Sequence, residues 1–292
     1  MLQDYAIDDA LRFESDEVGQ SRAEIDSPVC RGQMYLYGSH VTAWQPRPEP
    51  GSDEADQAVI FMPDSWQLRE GSPLFGGVPI CLPWFGPHPS DPHQPLHGLV
   101  RTRRWQLQQT QRQGQDVVLT LTIDCDDLLA SFTVRFGRQL SMSLTVQHQG
   151  STARIITEAL HTYLLVGDVG QIWITGLQDT DYYCKLRNAH FSQQEAELHL
   201  AGATDRVYLD SESTCHLHDP LLKRRISIAK TGSRSTVVWN PNSPHVTSHE
   251  DSAPIAWQHF VCIETANALD NAITLQPGAS HTLTAQLSVE PL

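Results

Sequence analysis

Two ionisable side chains lie inside apolar stretches of the sequence. His161 lies in the segment 155–165, which is rich in Ile and Leu, and Glu264 follows the four apolar residues 260–263. A buried charge is costly unless it is paired, hydrogen-bonded or next to a cavity. An imidazole and a carboxylate are also the usual groups of general acid–base catalysis. A strand histidine and a terminal glutamate can equally face water, so the residues alone leave both roles open.

The stretch 76–105 combines a short apolar run, a proline-rich loop, three histidines and several arginines. The spacing of His88, His93 and His97 invites comparison with zinc ligands, because imidazole is a common zinc donor. The prolines between them break any regular spacing, so no metal is expected. Arg101 begins a basic cluster that could bind a phosphate or a vicinal diol, or form a charged strand face. Long loops of this kind in compact domains are usually functional.

Several function classes are disfavoured by the sequence. It lacks the GxxxxGK[ST], GxGxxG, GxSxG and HExxH patterns of phosphoryl transfer, hydride transfer, serine hydrolysis and zincin chemistry. The formal net charge of −14 argues against a nucleic-acid partner, which would require a basic stripe. An anionic substrate would therefore depend on a local group of cations, because the overall field repels it.

The composition predicts a cytoplasmic protein with no membrane association. Its six cysteines are scattered without a CxxC pair, and several lie in apolar runs, which favours buried free thiols in a reducing compartment. The first residues are acidic and lack the apolar core of a signal peptide. No apolar run approaches the roughly 18 residues that a membrane span requires.

Alternation of apolar and polar residues dominates the chain and predicts β-strands. The clearest examples are 139–146, 131–136 and 281–289, where every second residue is apolar. Further strands are predicted at 35–44, 58–62, 117–123, 171–175, 206–210, 225–229 and 236–239.

Helical periodicity is weak throughout. One short helix at 4–13 and a single helical turn at 219–223 are the helical predictions. Strands do not alternate with helices, which argues against a parallel α/β sheet. We therefore expect an all-β fold, one large antiparallel β-sandwich that spans residues 1–292 as a single domain.

Seven blocks of the sequence resemble the glucose-6-phosphate 1-epimerases (hexose-6-phosphate mutarotases) of the aldose 1-epimerase superfamily. They are GSHVTAWQP at 38–46, GGVPICLPWFG at 76–86, HGLVR at 97–101, LHTYLLVGD at 160–168, TDRVYL at 204–209, VVWNP at 237–241 and VCIETA at 261–266. Any one block would be weak, whereas seven in the family's order are specific. The resemblance implies a galactose mutarotase-like supersandwich.

The resemblance also implies roles for five residues. His161 matches the family's general acid and Glu264 matches its general base. His97 and Arg101 match positions that contact the substrate, and Asp205 matches an aspartate that hydrogen-bonds sugar hydroxyls. All five lie within the blocks that carry the resemblance.

Phe75 departs from the family pattern, because an arginine that contacts the substrate usually precedes GGVP. This difference leaves the recognition of a phosphate open. Arg69 or the cluster 101–104 could supply the missing charge. Otherwise the substrate would be an unphosphorylated aldose, with Phe75 as an apolar wall.

The implied reaction is the interconversion of the α and β anomers of a hexose 6-phosphate, glucose 6-phosphate being the expected substrate. Glu264, ionised at neutral pH, would take the proton of the anomeric hydroxyl, and a protonated His161 would donate to the ring oxygen. The neighbouring carboxylate is expected to raise the pKa of His161.

The reaction requires no cofactor and no metal. The expected partner is a small-molecule sugar or sugar phosphate, bound by a monomer. A non-catalytic carbohydrate-binding or regulatory module is the alternative, since a fold can outlast an activity.

Overall fold

The computed structural model describes residues 2–49, 51, 56–63, 68–243 and 256–292, and these form twenty-three β-strands. The first twelve are β1 Leu11–Ser15, β2 Ser21–Asp26, β3 Cys30–Tyr35, β4 His40–Pro46, β5 Ile80–Cys81, β6 Gln106–Gln113, β7 Asp116–Cys125, β8 Leu128–Phe136, β9 Leu140–His148, β10 Arg154–Ile156, β11 Glu158–Leu160 and β12 Tyr163–Leu165. The others are β13 Trp173–Thr175, β14 Asp181–Cys184, β15 Ala189–Ser192, β16 Leu198–His199, β17 Thr204–Tyr208, β18 Cys215–Asp219, β19 Arg224–Thr231, β20 Ser235–Asn240, β21 Phe260–Asn267, β22 Ile273–Leu275 and β23 Ser280–Pro291.

Helical structure is limited to single turns. Within the described ranges there is no α-helix, and the 3₁₀ helices are Leu2–Tyr5, Val100–Thr102, Trp257–His259 and Leu269–Asn271. None of these is long and apolar enough to cross a membrane. The prediction of an all-β fold is confirmed.

The largest sheet has nine antiparallel strands in the order β16-β13-β18-β19-β23-β9-β8-β7-β6. Strands β6 to β9 follow one another as hairpins, and the C-terminal strand β23 lies between β9 and β19. In β8 and β9 every second residue is buried, because successive side chains of a strand point to opposite faces. The alternation at 131–136, 139–146 and 281–289 therefore predicted these strands correctly.

The second sheet positions the candidate site. It has eight strands, in the order β15-β14-β17-β20-β21-β11-β5, with β12 also paired to β21. One face, with Leu160, Val238 and Ile263, joins the apolar core shared with the nine-stranded sheet. The opposite face carries the smaller residues Ala159 and Val237 in a separate cluster. Strand β21 is buried along its whole length, because both of its faces are covered.

Two smaller sheets complete the fold. Strands β1 to β4 form a four-stranded sheet in chain order, and β10 pairs with β22. Most of the buried apolar residues of β1 to β4, among them Phe13, Met34 and Trp44, belong to the core cluster that the two large sheets share. An antiparallel sandwich is thus built around one continuous core.

The structure corrects four of the predicted elements. The helix predicted at 4–13 is instead a 3₁₀ turn followed by β1, because Leu11 and Phe13 alternate and pair with β2. The strand predicted at 35–44 is interrupted by a turn at Gly38, whose φ is +70°. Residues 58–62 form only an isolated bridge through Ile60. The helical turn predicted at 219–223 is instead the end of β18 at Asp219 and a hairpin turn over 220–223 that leads into β19.

Candidate active site

The register of the eight-stranded sheet places His161 opposite Glu264. Strands β11 and β12 both pair with β21, and Leu160 lies opposite Thr265. The same register resumes beyond the two residues that separate β11 from β12, so His161 falls opposite Glu264 on the neighbouring strand. The distance between His161 Nε2 and Glu264 Oε1 is 3.4 Å. Residues that are about one hundred positions apart in the chain thus form one pair of ionisable groups.

The segment that contains GGVPIC holds the histidine from its other side. The backbone amide of His161 donates to Pro79 O at 3.0 Å, and that of Tyr163 donates to Gly77 O at 3.0 Å. The ring of Tyr163 stacks on the imidazole of His161, with centroids 4.9 Å apart. Gly77 has a φ of +68°, and a Cβ there would lie 2.2 Å from His40 Nε2. Only glycine at position 77 therefore allows the segment to pack so closely against His40.

Burial governs the charge of Glu264. Its side chain is 1% exposed, and burial raises the pKa of its carboxyl well above the ordinary value because the charged form loses solvation. The positive charge of Lys185 acts in the opposite direction, and the negative charge of Asp205 raises the pKa further. Its Oε2 is buried and has no hydrogen-bond partner within the described part of the chain. That oxygen therefore has an unused capacity to accept a hydrogen bond.

Burial also changes the pKa of His161, in the direction opposite to the one expected from the sequence. Its pKa is lowered well below the ordinary value, first by burial and then by the charges of His97, Arg101 and Lys185. The sequence predicted a raised pKa from the neighbouring carboxylate, and that prediction is wrong. Desolvation of the imidazolium, which the sequence pattern did not reveal, is the larger effect here.

His97 approaches the pair from the proline-rich loop. Its backbone amide donates to Gly86 O at 2.7 Å, and the amide of Gly86 donates to His97 Nδ1 at 3.2 Å. Because Nδ1 accepts a hydrogen bond, the proton of the neutral ring lies on Nε2. Burial and the charges of Arg101 and Lys185 lower the pKa of His97 to about 3. The ring lies 5.5 Å from that of His161, so a neutral donor adjoins the pair.

Arg101 lies in the 3₁₀ helix Val100–Thr102 and not on the charged strand face that was the alternative to a binding role. Its Nη2 donates to Leu96 O at 2.7 Å, and its Nε is buried without a hydrogen-bond partner within the described residues. Its positive charge lowers the pKa of both His97 and His161. The guanidinium thus contributes positive charge to this side of the site.

Asp205 lies on β17 at the opposite side of the site. In the register it pairs with Trp239 of β20, which pairs in turn with Cys262 of β21. Directly opposed residues of a sheet share one face, so the carboxylate and the indole are neighbours. Lys185 Nζ is 3.3 Å from Asp205 Oδ1. The tryptophan ring stands edge-on to His161, with centroids 5.9 Å apart.

Phe75 contributes to an aromatic wall beside the pair. Its ring lies 4.9 Å from Tyr163, 6.4 Å from Trp239 and 5.7 Å from Phe260, each time edge to face. Such pairs are stabilising because the positive ring edge meets the negative ring face. The residue at the position where the resemblance implies an arginine is therefore part of the apolar lining.

The three histidines weighed as zinc ligands have separate surroundings. His88 Nδ1 accepts from the amides of Ser90 and Asp91, and its ring packs against Trp84. His97 belongs to the site described above. Over the ranges described, no group of three or more His, Cys, Asp or Glu is placed to hold a metal ion.

Lys185 and Trp239 are the residues that sequence reasoning missed at this site. Both are half-buried, as are the side chains of Phe75, His97 and Asp205. These residues form a rim around the buried pair, with Trp239 as a flat surface and Lys185 as a cation. The motif VVWNP contains Trp239, but the sequence did not show towards which face of the sheet its side chain would point. No sequence pattern indicated a role for Lys185.

The chain is similar to proteins of a known family along most of its length. A family model described as aldose 1-epimerase matches residues 22–288. A "putative glucose-6-phosphate 1-epimerase" of Salmonella typhimurium is 30% identical over 256 residues, which is 84% of this chain and 82% of that protein. A protein with the same description from Escherichia coli is 28% identical over 269 residues, which is 88% of this chain and 86% of that one.

Solved structures show the same fold. A crystal structure of a "putative mutarotase" from Salmonella typhimurium superposes with a TM-score of 0.86 at 25% identity, covering 97% of this chain and 94% of that one. A galactose mutarotase-like protein from Clostridium acetobutylicum superposes with a TM-score of 0.75 at 11% identity, covering 98% and 100%. The expected galactose mutarotase-like supersandwich is confirmed, and the chain belongs to the aldose 1-epimerase family.

Proposed function

We propose that this protein interconverts the α and β anomers of a hexose 6-phosphate, glucose 6-phosphate being the expected substrate. The observation that carries the proposal is the buried pair of His161 and Glu264, whose reacting atoms are 3.4 Å apart. A proton donor and a proton acceptor on adjacent strands suit the opening of a cyclic hemiacetal, in which one oxygen loses a proton and another gains one.

In the proposed reaction Glu264 accepts the proton of the anomeric hydroxyl while His161 donates a proton to the ring oxygen. The bond between C1 and the ring oxygen breaks, and C1 becomes an aldehyde carbon. Rotation about the C1–C2 bond then presents the other face of the carbonyl. The reverse transfers, from Glu264 to the carbonyl oxygen and from the ring-derived hydroxyl to His161, close the ring as the other anomer.

The pair needs one proton in total. Ring opening starts from an ionised Glu264 and a protonated His161, and it leaves both groups neutral. Burial raises the pKa of the first and lowers that of the second, so it favours the neutral pair that stands beside the open-chain sugar. The charged pair and the neutral pair carry the same total number of protons. Proton transfers through the anomeric hydroxyl and the ring oxygen of the substrate convert one form into the other.

The rim supplies contacts for the rest of the sugar. Asp205 can accept hydrogen bonds from ring hydroxyls, and His97 can donate from Nε2. Trp239 is half-buried and offers a flat apolar surface to the C–H face of a pyranose. These contacts would hold the anomeric carbon near the pair, and positioning of this kind lowers the barrier of a reaction.

Two observations support a phosphorylated substrate. Arg101 places a positive charge beside the site, and Lys185 adds a second one that it shares with Asp205, in a chain whose formal net charge is −14. Such a local group of cations is what an anionic ligand requires in an acidic protein. The name of the relatives from Salmonella typhimurium and Escherichia coli points to the same substrate.

Two-dimensional exchange NMR tests the proposal, because it measures the rate of exchange between the α and β anomeric protons at equilibrium. With glucose 6-phosphate the protein should accelerate exchange well above the buffer rate, and more strongly than it does with glucose. A rate equal to the buffer blank for both sugars would contradict the proposal and leave a carbohydrate-binding module.

A second candidate is a mutarotase for an unphosphorylated aldose. The position of Phe75 favours it, because an aromatic ring stands where a substrate-contacting arginine is usual and packs on Tyr163 and Trp239. Faster exchange of glucose than of glucose 6-phosphate in the same experiment would select this candidate.

A further inference from the structure

Lys185 is placed at the site by two different parts of the chain. It is one of three lysines in the sequence and follows directly after β14. Its backbone amide donates to Asp205 O at 2.9 Å, and its ammonium lies 3.3 Å from Asp205 Oδ1. The same ammonium lies over the ring of Phe85, 4.5 Å from the centroid. Asp205 belongs to the eight-stranded sheet, and Phe85 belongs to the proline-rich loop.

This ion pair differs from an ordinary surface pair. The side chains of Lys185 and Asp205 are 31% and 20% exposed, whereas exposed pairs are worth little because solvent screens them and long side chains lose entropy. The ring of Phe85 restricts the lysine further through a cation–π contact. Phe85 also packs on His97, with centroids 5.0 Å apart. Lys185 is therefore held within the ring of side chains that surrounds the pair.

The charges around Glu264 indicate how the ammonium of Lys185 affects this carboxyl group. The ionisable groups of the neighbouring elements that interact with it are His161, Tyr163, Cys81, Lys185, Asp205 and Cys262. Of these, Asp205 raises the pKa of Glu264, as burial also does, and Lys185 lowers it. Beside a second, uncompensated carboxylate a larger share of Glu264 would already be protonated, and a protonated carboxyl cannot accept a proton.

We propose that Lys185 is a positioning residue of the site: its ammonium fixes and neutralises Asp205 and keeps Glu264 able to accept a proton. This inference rests on the proposed function, because it concerns the base of the same reaction. The lysine touches Asp205 and Phe85 and acts on the reacting carboxylate through its charge.

Removal of the charge has a defined sign. Without Lys185 the pKa of Glu264 rises, because the charge that lowered it is gone. The pKa of His161 rises as well, since Lys185 also lowers that value. Both limbs of the pH–rate profile should therefore move to higher pH.

The test compares Lys185→Met, which keeps most of the side-chain volume, with the wild-type protein. A matched control is Arg187→Met. It removes a cation that lies two residues away and stands over the ring of Phe191, 5.5 Å from its centroid. For Lys185→Met, kcat/KM at about pH 6 should fall roughly tenfold or more, part of the roughly 10²–10⁴ that a positioned base contributes. The loss should shrink as the pH rises, whereas Arg187→Met should follow the wild-type profile.

A second readout does not depend on catalysis. The ¹³C signal of the Glu264 carboxyl can be assigned by its loss in Glu264→Gln and followed during a pH titration. Its midpoint should move to higher pH in Lys185→Met and return towards the wild-type value in Lys185→Arg. A midpoint that is the same in Lys185→Met and in the wild type would overturn the inference.

The two readouts separate this inference from the proposed function. If the wild-type protein exchanges no anomers but the midpoint moves, the proposed function fails and the action of Lys185 on Glu264 stands. If Lys185→Met changes only KM for glucose 6-phosphate, with an unmoved pH profile, the inference fails and the lysine is a phosphate ligand.

Discussion

Replacement of Phe75 by arginine tests how this chain recognises the 6-position of its substrate. The ring of Phe75 makes edge-to-face contacts with Tyr163, Trp239 and Phe260. Arginine is the residue that the resemblance to the glucose-6-phosphate 1-epimerases implies at this position, but it removes these contacts. Phe75→Arg should therefore lower the free energy of unfolding and raise the preference for glucose 6-phosphate over glucose.

The magnitudes follow from the contacts. An aromatic pair contributes about 0.5–1.5 kcal/mol beyond the area it buries, so the three pairs of Phe75 together contribute about 1.5–4.5 kcal/mol to stability. A hydrogen bond to a charged group contributes about 1.5–3 kcal/mol. If the new guanidinium binds the phosphate, KM for glucose 6-phosphate should fall roughly ten- to hundredfold, while KM for glucose stays the same.

Urea unfolding measures the first effect, and exchange NMR with both sugars measures the second. Phe75→Leu is the matched control, because it removes the aromatic contacts and adds no charge. An equal change of KM for both sugars in Phe75→Arg would refute the reasoning. So would a shift in sugar preference as large in Phe75→Leu as in Phe75→Arg, since charge would then not be the cause.

Two further predictions concern stability. Hydrogen bonding to Glu158 raises the pKa of His281 above its ordinary 6.5, so its contribution is complete below that value and disappears as the pH rises through the folded-state pKa. Thermal unfolding should show a larger loss for His281→Gln at about pH 5 than at about pH 9, and an equal loss at both would contradict this. Gly98→Ala should lower the free energy of unfolding more than Gly86→Ala in urea titrations. Both glycines have a φ of +79°, but only at Gly98 would the new Cβ meet an atom, Leu82 O at 1.9 Å. The left-handed backbone conformation costs alanine about 1–2 kcal/mol at either position, so the clash with Leu82 O adds to that cost only at Gly98. Equal losses would show that the carbonyl group of Leu82 moves aside freely.

The sequence was sufficient to predict the fold class and to single out His161 and Glu264, which the structure brings together. Alternation predicted the long strands β8, β9 and β23, where one face is buried and pattern and structure coincide. His161 and Glu264 stood out because ionisable residues are rare in such apolar stretches. Their opposition could not be predicted from the residues alone, because it depends on the register between β21 and the strands on either side of His161.

The electrostatics of the site were beyond sequence reasoning. A neighbouring carboxylate suggested a raised pKa for His161, yet burial and three nearby groups lower it. Lys185 had no recognisable motif, and its contact with Asp205 arises from the pairing of β14 with β17. The helix predicted at 4–13 failed for a related reason, because pairing with β2 outweighed a weak local preference.

The most direct test of the account is the exchange rate of glucose 6-phosphate anomers in Glu264→Gln and His161→Gln. Each variant should lose roughly 10²–10⁴ in rate, because each removes a proton acceptor or donor, and should still unfold cooperatively. Glu158→Gln is the matched control, since Glu158 is a second fully buried carboxylate, bonded to Asn267 and His281, and it should retain exchange. Wild-type exchange rates in both Glu264→Gln and His161→Gln would contradict the central claim.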